Sequence, residues 1–271
     1  MSETHSGSFD LPDGSLYYEV AGEGPVVTLI HEGLWDSRTW DPQMPVLLDA
    51  GYRVVRYDVR GYGRSSRLTG EPYSHVEDLA ALLDFLDVPL TTLVGCSMGG
   101  AIAIDFTLEH PDRVAALVPV ASGLAGFEAL EEEEDWWESV QGPIDEAVAA
   151  GDLERAQDLR LKIWAPLGTT DEAGALIRQI AFDNIHELTM DESAEEELDP
   201  PAAHRLGEID VPTLVMIAEY DPPYMIRTGD LIARGILGAR KVTIENADHV
   251  VHLRRPAEFN AALLAFLDEL D

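Results

Sequence analysis

Short apolar runs recur along the chain, each bounded by glycine or proline and each followed by a stretch with helical spacing. Val26–Ile30 is continuous and apolar after Gly24-Pro25, the pattern of a strand buried on both faces. Ser15–Val20, after the turn signal Pro12-Asp13-Gly14, runs from polar to apolar, and Tyr52–Tyr57, Thr91–Gly95 and Val114–Ala121 are further strands. Between them lie helical segments: Thr39–Ala50 closed by Gly51, an amphipathic stretch from Tyr73 to Asp87, and the small-residue run Met98–His110 stopped by Pro111. Strands and helices alternating at this spacing imply βαβ units and a parallel sheet. The alternation breaks between Leu124 and Leu206, which reads as short helices. It resumes with Val211–Ala218, Tyr224–Ile236, Lys241–Glu245 and Pro256–Leu270. The expected fold is therefore α/β, a mostly parallel, doubly wound sheet. Residues 1–123 and 207–271 form its core, and residues 124–206 are inserted as a helical cap.

Composition narrows the possible partners. The 271 residues are 46% hydrophobic, enough for a sizeable core, and their formal charge is −33. Nucleic acid and anionic membranes need a cationic footprint that this chain lacks. Between Phe127 and Asp199 there are twenty-two acidic and four basic side chains, a net of −18. These acidic runs read as solvated helix faces. The single cysteine, Cys96, excludes an intramolecular disulfide and a Cys-rich zinc site. Residues Met1–Phe9 have no basic stretch followed by an apolar one, and no apolar run approaches the roughly 18 residues of a membrane span. A cytoplasmic protein is expected.

The strongest chemical signal is Gly95-Cys96-Ser97-Met98-Gly99, a G-x-S-x-G placed between a strand and a helix. A tight strand-to-helix turn holds the central serine in a strained conformation, and flanking glycines relieve the crowding. The helix N-terminus then aims amides at the site, so the Met98 N–H can serve a developing oxyanion. Cys96 reads as a small buried hydrophobe.

With that elbow the chain resembles the α/β-hydrolase superfamily from about residue 15 to residue 268. His31-Glu32-Gly33-Leu34 is similar to the oxyanion loop, and Asp58-x-Arg60-Gly61-x-Gly63-x-Ser65 to the turn after the next strand. Ala218-Glu219-Tyr220-Asp221 and Asp248-His249 resemble the acid and histidine segments. The resemblance implies a nucleophile, acid and histidine in that chain order, and no cofactor.

A serine hydroxyl needs a base, and the base needs an orienting carboxylate. Asp221 follows an apolar strand in a loop opened by Pro222-Pro223 and is favoured over Glu219. The position after the preceding strand offers only Ala121-Ser122-Gly123. His249 is expected to be the base rather than His252. The other histidines read as surface or helix-end residues, with His31 structural, and no metal site is expected. Gly33 and Met98 are the expected oxyanion donors. Glu32 stands where the family usually has glycine and is expected to face outward. A carboxylate turned inward would oppose the developing charge.

Leu34, Trp35, Trp136 and Trp164 are expected to line the substrate pocket, Trp35 most directly. Of the adjacent Trp136 and Trp137 only one can face the pocket. These residues point to a serine hydrolase of small carboxylic esters or lactones. A C–C bond hydrolase (wanting a basic cap residue among Arg155, Arg160, Lys162 and Arg178), a perhydrolase and a non-catalytic receptor remain as alternatives. The expected partner is a small-molecule substrate, with a homodimer left open.

Overall fold

A computed structural model describes residues 4–270; Met1–Glu3, within the stretch read for a leader, and Asp271 lie outside the described residues. The eight strands are β1 (His5–Leu11), β2 (Gly14–Ala21), β3 (Val26–Ile30), β4 (Arg53–Tyr57), β5 (Thr91–Cys96), β6 (Val114–Val120), β7 (Leu214–Ala218) and β8 (Arg240–Ile244). They form one sheet in the order β1-β2-β4-β3-β5-β6-β7-β8. The hairpin β1–β2 and the pair β2–β4 are antiparallel, and the remaining pairs are parallel.

Helices α1 (Gln43–Asp49), α2 (His75–Phe85), α3 (Met98–Glu109), α7 (Pro223–Gly235), α8 (Val251–Arg254) and α9 (Pro256–Leu267) accompany the sheet. Alternation along each parallel strand sends side chains into two separate cores. Ile30, Leu93 and Val215 meet α2, α3 and α7 on one face. Leu29, Val94 and Met216 meet α1 and α9 on the other. The chain runs outward from β3 to β4, then crosses back to β5. The order therefore reverses between β3 and β5, and their carboxyl ends open the crevice where such sheets place sites.

The run from β6 to β7 holds α4 (Glu131–Ala149), α5 (Leu153–Trp164), α6 (Glu172–Asp183) and three 3-10 segments, with no strand among them. Four glutamates, Glu131–Glu134, open α4, where the helix dipole favours negative charge. Arg227 on α7 donates to Glu133 at 2.8 Å and fastens α4 to the core. Asn184, just past α6, accepts from the Gly63 N–H at 2.7 Å and donates to Asp36 at 2.8 Å, tying the segment to the loops after β3 and β4. Among the described residues no helix is long and apolar enough to cross a membrane.

Two local differences from the sequence reading have clear causes. The expected helix Thr39–Ala50 is split into a 3-10 turn, Ser37–Trp40, and α1. Pro42 has no N–H to carry a helical ladder through, and Asp36 caps the first piece by accepting from Arg38. Strand β1 was not foreseen: it is an exposed edge strand with few apolar residues, anchored where Phe9 stacks on Phe85 at 4.8 Å.

The turn after β4 is held by ion pairs. Arg60, almost fully buried, donates twice to Asp78 at 2.7 Å and once to Asp13 at 2.8 Å. Removing one partner of a buried pair leaves the other charge unpaired. Arg60→Met is therefore expected to lower unfolding stability by about 3 kcal/mol. Arg60→Met with Asp78→Leu should recover most of that loss, with urea denaturation as the measurement.

Candidate active site

The nucleophile turn is built from an absence of side-chain volume. A Cβ on Gly95 would stand 2.0 Å from the Gly99 carbonyl oxygen, one on Gly99 2.3 Å from the Ile30 carbonyl oxygen, and one on Gly100 2.4 Å from the Ser122 hydroxyl. Each contact is too short for any side chain, so β5 and α3 meet at this angle only through glycine. Ser97 at the apex has φ 52° and ψ −113°, a strained conformation for a residue with a side chain. Main-chain bonds hold it there. Its N–H donates to the Val120 carbonyl at 2.9 Å, and its carbonyl accepts from Gly100, Ala101 and Gly123 at 3.0 Å each.

The carboxylate and the histidine arrive from the last two strands. Asp221 follows β7 and His249 follows β8; both side chains are buried, and Asp221 Oδ1 lies 2.8 Å from His249 Nδ1. That bond places the proton on Nδ1 and leaves Nε2 as the basic nitrogen. Burial alone would push the imidazole down. The Asp221 charge and hydrogen bond outweigh it and hold the His249 pKa above the ordinary 6.5. The adjoining Asp248 takes no part in that pair. It is fully buried, accepts from Arg254 Nε at 2.9 and 3.0 Å, and accepts from the Leu167 amide at 3.3 Å. Arg254 also donates to the Gly168 carbonyl at 2.6 Å, so this latch fixes the histidine loop against the chain after α5.

Helix α3 opens at Met98, whose amide has no carbonyl one turn back to bond. Across from it Gly33 and Leu34 turn away from β3, Leu34 with φ 70°. His31 shapes that loop: Nε2 accepts from the Val59 N–H at 2.8 Å, so Nδ1 carries the proton and donates to the Glu32 carbonyl at 2.7 Å. The structural part expected of His31 is what its bonds describe.

Ser97, Met98, Gly33, Leu34 and His249 share one cavity of about 600 Å³ with Trp164 and other residues of the inserted helices. The Trp164 ring lies 4.4 Å from the His249 ring. Trp35 does not reach this cavity. It is fully buried, and its indole N–H donates to the Ile177 carbonyl at 2.8 Å, so it packs the loop after β3 against α6. Trp136 does not line the cavity either: Trp137 does, while Trp136 packs 5.9 Å from the Tyr224 ring. Adjacent residues on α4 point about 100° apart, and the sequence does not say which of the two faces inward.

Five polar residues of the cavity wall were not singled out as pocket residues: Tyr62, Gln141, Asp145, Glu187 and Glu192. Arg160 also faces the cavity and pairs with Glu187, which burial pushes up to about 7. Pockets assembled from separate helices carry no local motif, so no pattern along the chain marks these residues.

Glu32 corrects a further expectation. It faces inward and is fully buried, with Oε2 3.4 Å from the Thr39 hydroxyl and 3.8 Å from His252 Nε2. The carboxyl lies beside the stacked rings of Trp40 and His252, whose centroids are 3.8 Å apart. Donor atoms of Glu32, Cys96 and His252 lie within 4.8 Å of one another.

Comparison with known proteins decides the family. The sequence model of the alpha/beta hydrolase fold matches residues 25–256. The chain belongs to the alpha/beta hydrolase family. A protein of Azorhizobium caulinodans whose name describes a carbamate hydrolase, RutD, is 31% identical over the full length of both chains. A pimeloyl-acyl-carrier-protein methyl ester esterase of Neisseria meningitidis serogroup B is 29% identical over 89% of this chain and 92% of its own. The crystal structure of an enol-lactonase from Burkholderia xenovorans superposes with a TM-score of 0.75 at 23% identity, covering 97% of this chain and 100% of that one, and shares the fold. This alpha/beta hydrolase is accordingly a hydrolase, with Ser97, Asp221 and His249 gathered at the carboxyl ends of β5, β7 and β8.

Asp221→Asn is expected to keep the fold but lower kcat roughly 10⁴-fold, by presenting the wrong histidine tautomer. In the wild type, activity should fall as pH drops through a His249 pKa above 6.5, because the protonated imidazole cannot accept the serine proton. A pH profile of kcat/KM checks it.

Proposed function

We propose that this hydrolase cleaves small carboxylic esters or lactones through a covalent acyl-enzyme. The observation that carries this reading is Ser97, strained at the elbow, opening on the same cavity as a His249 already bonded to Asp221. His249 Nε2 takes the Ser97 proton as Oγ attacks the substrate carbonyl. The amides of Gly33 and Met98 hold the oxyanion, each such donor being worth about 3 kcal/mol. The imidazolium gives its proton to the departing alkoxide as the carbon–oxygen bond breaks. Water then attacks the acyl-enzyme, losing a proton to His249, and the acid leaves as Oγ regains that proton. In a lactone the leaving alkoxide stays tethered to the acyl group, and the steps are unchanged.

Charge in the cavity bears on the alternatives. A C–C hydrolase acting on an anionic diketone wants an unengaged cation in the cap. Of Arg155, Arg160, Lys162 and Arg178, Arg160 alone lines the cavity, and it is paired to Glu187 with Asp145 and Glu192 nearby. Neutral substrates suit that lining better than carboxylates. Ester cleavage is also named for the esterase relative, and the same residues would act on a carbamate, the substrate class named for the Azorhizobium relative. Peroxide in place of water would give perhydrolysis with no change of residues.

The test is a panel of short aryl esters, small lactones and aryl carbamates, with wild type beside Ser97→Ala. Esters or lactones should turn over fastest, and Ser97→Ala should lose about 10⁶-fold in kcat. Activity on none of them, or activity that survives in Ser97→Ala, would overturn the reading.

A further inference from the structure

The carboxyl of Glu32 has no part in acyl transfer, yet it is buried directly behind the loop that carries Gly33 into the cavity. Its backbone joins His31 to the Gly33 donor, and its side chain lies within 4.8 Å of Cys96 Sγ, one residue before the nucleophile. Cys96 Sγ in turn lies 3.7 Å from the His249 carbonyl. Apart from the His249 imidazole, the elements packed around the carboxyl present neutral or acidic groups. The 3-10 turn supplies the Thr39 hydroxyl at 3.4 Å, α8 the His252 ring at 3.8 Å, and β5 the Cys96 thiol. Asp36 on its own loop adds a repulsive charge, and His249 faces it from the histidine loop.

No arginine or lysine contributes. Glu32 Oε1 and both nitrogens of His252 have no protein partner among the described residues, and Trp40 stacks 3.8 Å from His252 and closes the space. An ionised carboxylate there would have its own backbone amide, one long hydrogen bond from Thr39 and, as counter-charge, only the His249 imidazolium, which is itself bonded to Asp221. A neutral acid suits such surroundings.

We propose that Glu32 is a positioning residue that sets the alkaline limit of the reaction. As the neutral acid it leaves the oxyanion loop free of opposing charge; as the carboxylate it places a negative charge beside the Gly33 donor and holds a proton on His249. The inference rests on the acyl-transfer reading above. The group exchanges its proton with solvent and forms no bond to substrate.

Burial pushes the Glu32 carboxyl up to about 8. Below that pH it is neutral, and the rate follows His249, rising as the imidazole loses its proton. Above it the carboxylate forms, opposes the oxyanion and raises His249, so both effects lower the rate. The two groups titrate as a coupled pair, and the limbs of the profile belong to both.

The experiment is the pH profile of kcat/KM on an aryl ester from about pH 6 to about pH 10, each protein normalised to its own maximum. Wild type should be roughly tenfold below its maximum at about pH 9. Glu32→Gln, which keeps the shape and cannot ionise, should lose this fall. Thr39→Val removes the hydroxyl that solvates the ionised form, and should move the fall to higher pH without touching the loop backbone.

An unchanged fall in Glu32→Gln, or a wild-type profile flat to about pH 10, would overturn the proposal. Infrared difference spectra of wild type against Glu32→Gln provide a readout independent of turnover. A protonated carboxyl band should be present at neutral pH and lost above the alkaline midpoint. Its absence at neutral pH overturns the proposal. If no ester is hydrolysed but the band titrates as described, the acyl-transfer reading fails and the assignment of a neutral Glu32 stands.

Discussion

The approach of α3 to β3 and β5 sets the geometry of this molecule. Gly95 and Gly99 remove the side-chain volume that would separate them: a Cβ on Gly99 would stand 2.3 Å from the Ile30 carbonyl oxygen and 2.6 Å from that of His31. Because β3 and β5 are neighbours at the reversal of strand order, the same close approach brings the loop after β3 and the start of α3 to one point. Two amides from different parts of the chain then face one cavity. Neither loop could hold this placement alone.

A second constraint is electrostatic. The chain is strongly anionic, yet its buried charges are nearly all satisfied locally: Asp58 by Ser37 and the Arg64 amide, Asp78 by Arg60, Asp248 by Arg254, and Asp221 by His249. Each of these pairs fastens a loop at the carboxyl end of the sheet, or the turn beside it. Excess negative charge is left to the exposed faces of the inserted helices, where water screens it. Glu32 lacks an arginine or lysine partner of this kind.

The parallel strands, the elbow and the order of nucleophile, acid and histidine were legible because each is written locally. Short, largely apolar runs mark β3, β5, β6 and β7, and glycine spacing marks the turn at Ser97. Strand β1 was not legible because its polar sequence owes its structure to pairing with β2. Trp35 and Trp136 were misplaced for a related reason. Proximity in sequence to Gly33 brought Trp35 close to the site, but its indole N–H needed an acceptor and found one at Ile177, on the far side of the loop. The inward turn of Glu32 depends on the ring stack of Trp40 and His252, residues 212 positions apart in the chain. Such contacts have no signature short of the fold itself.

Every bond that holds residue 97 in its strained turn is made by the main chain. Its amide is bound to Val120 and its carbonyl to three amides, while the Ser97 side chain takes no part in that frame. The slot is therefore indifferent to what hangs from its Cβ. A carboxylate or a thiol there would inherit the same exposure, the same histidine and the same amides without rebuilding the turn. Reaction chemistry in this scaffold is thus separable from architecture. One codon changes the attacking atom, whereas the glycines around it admit no substitute.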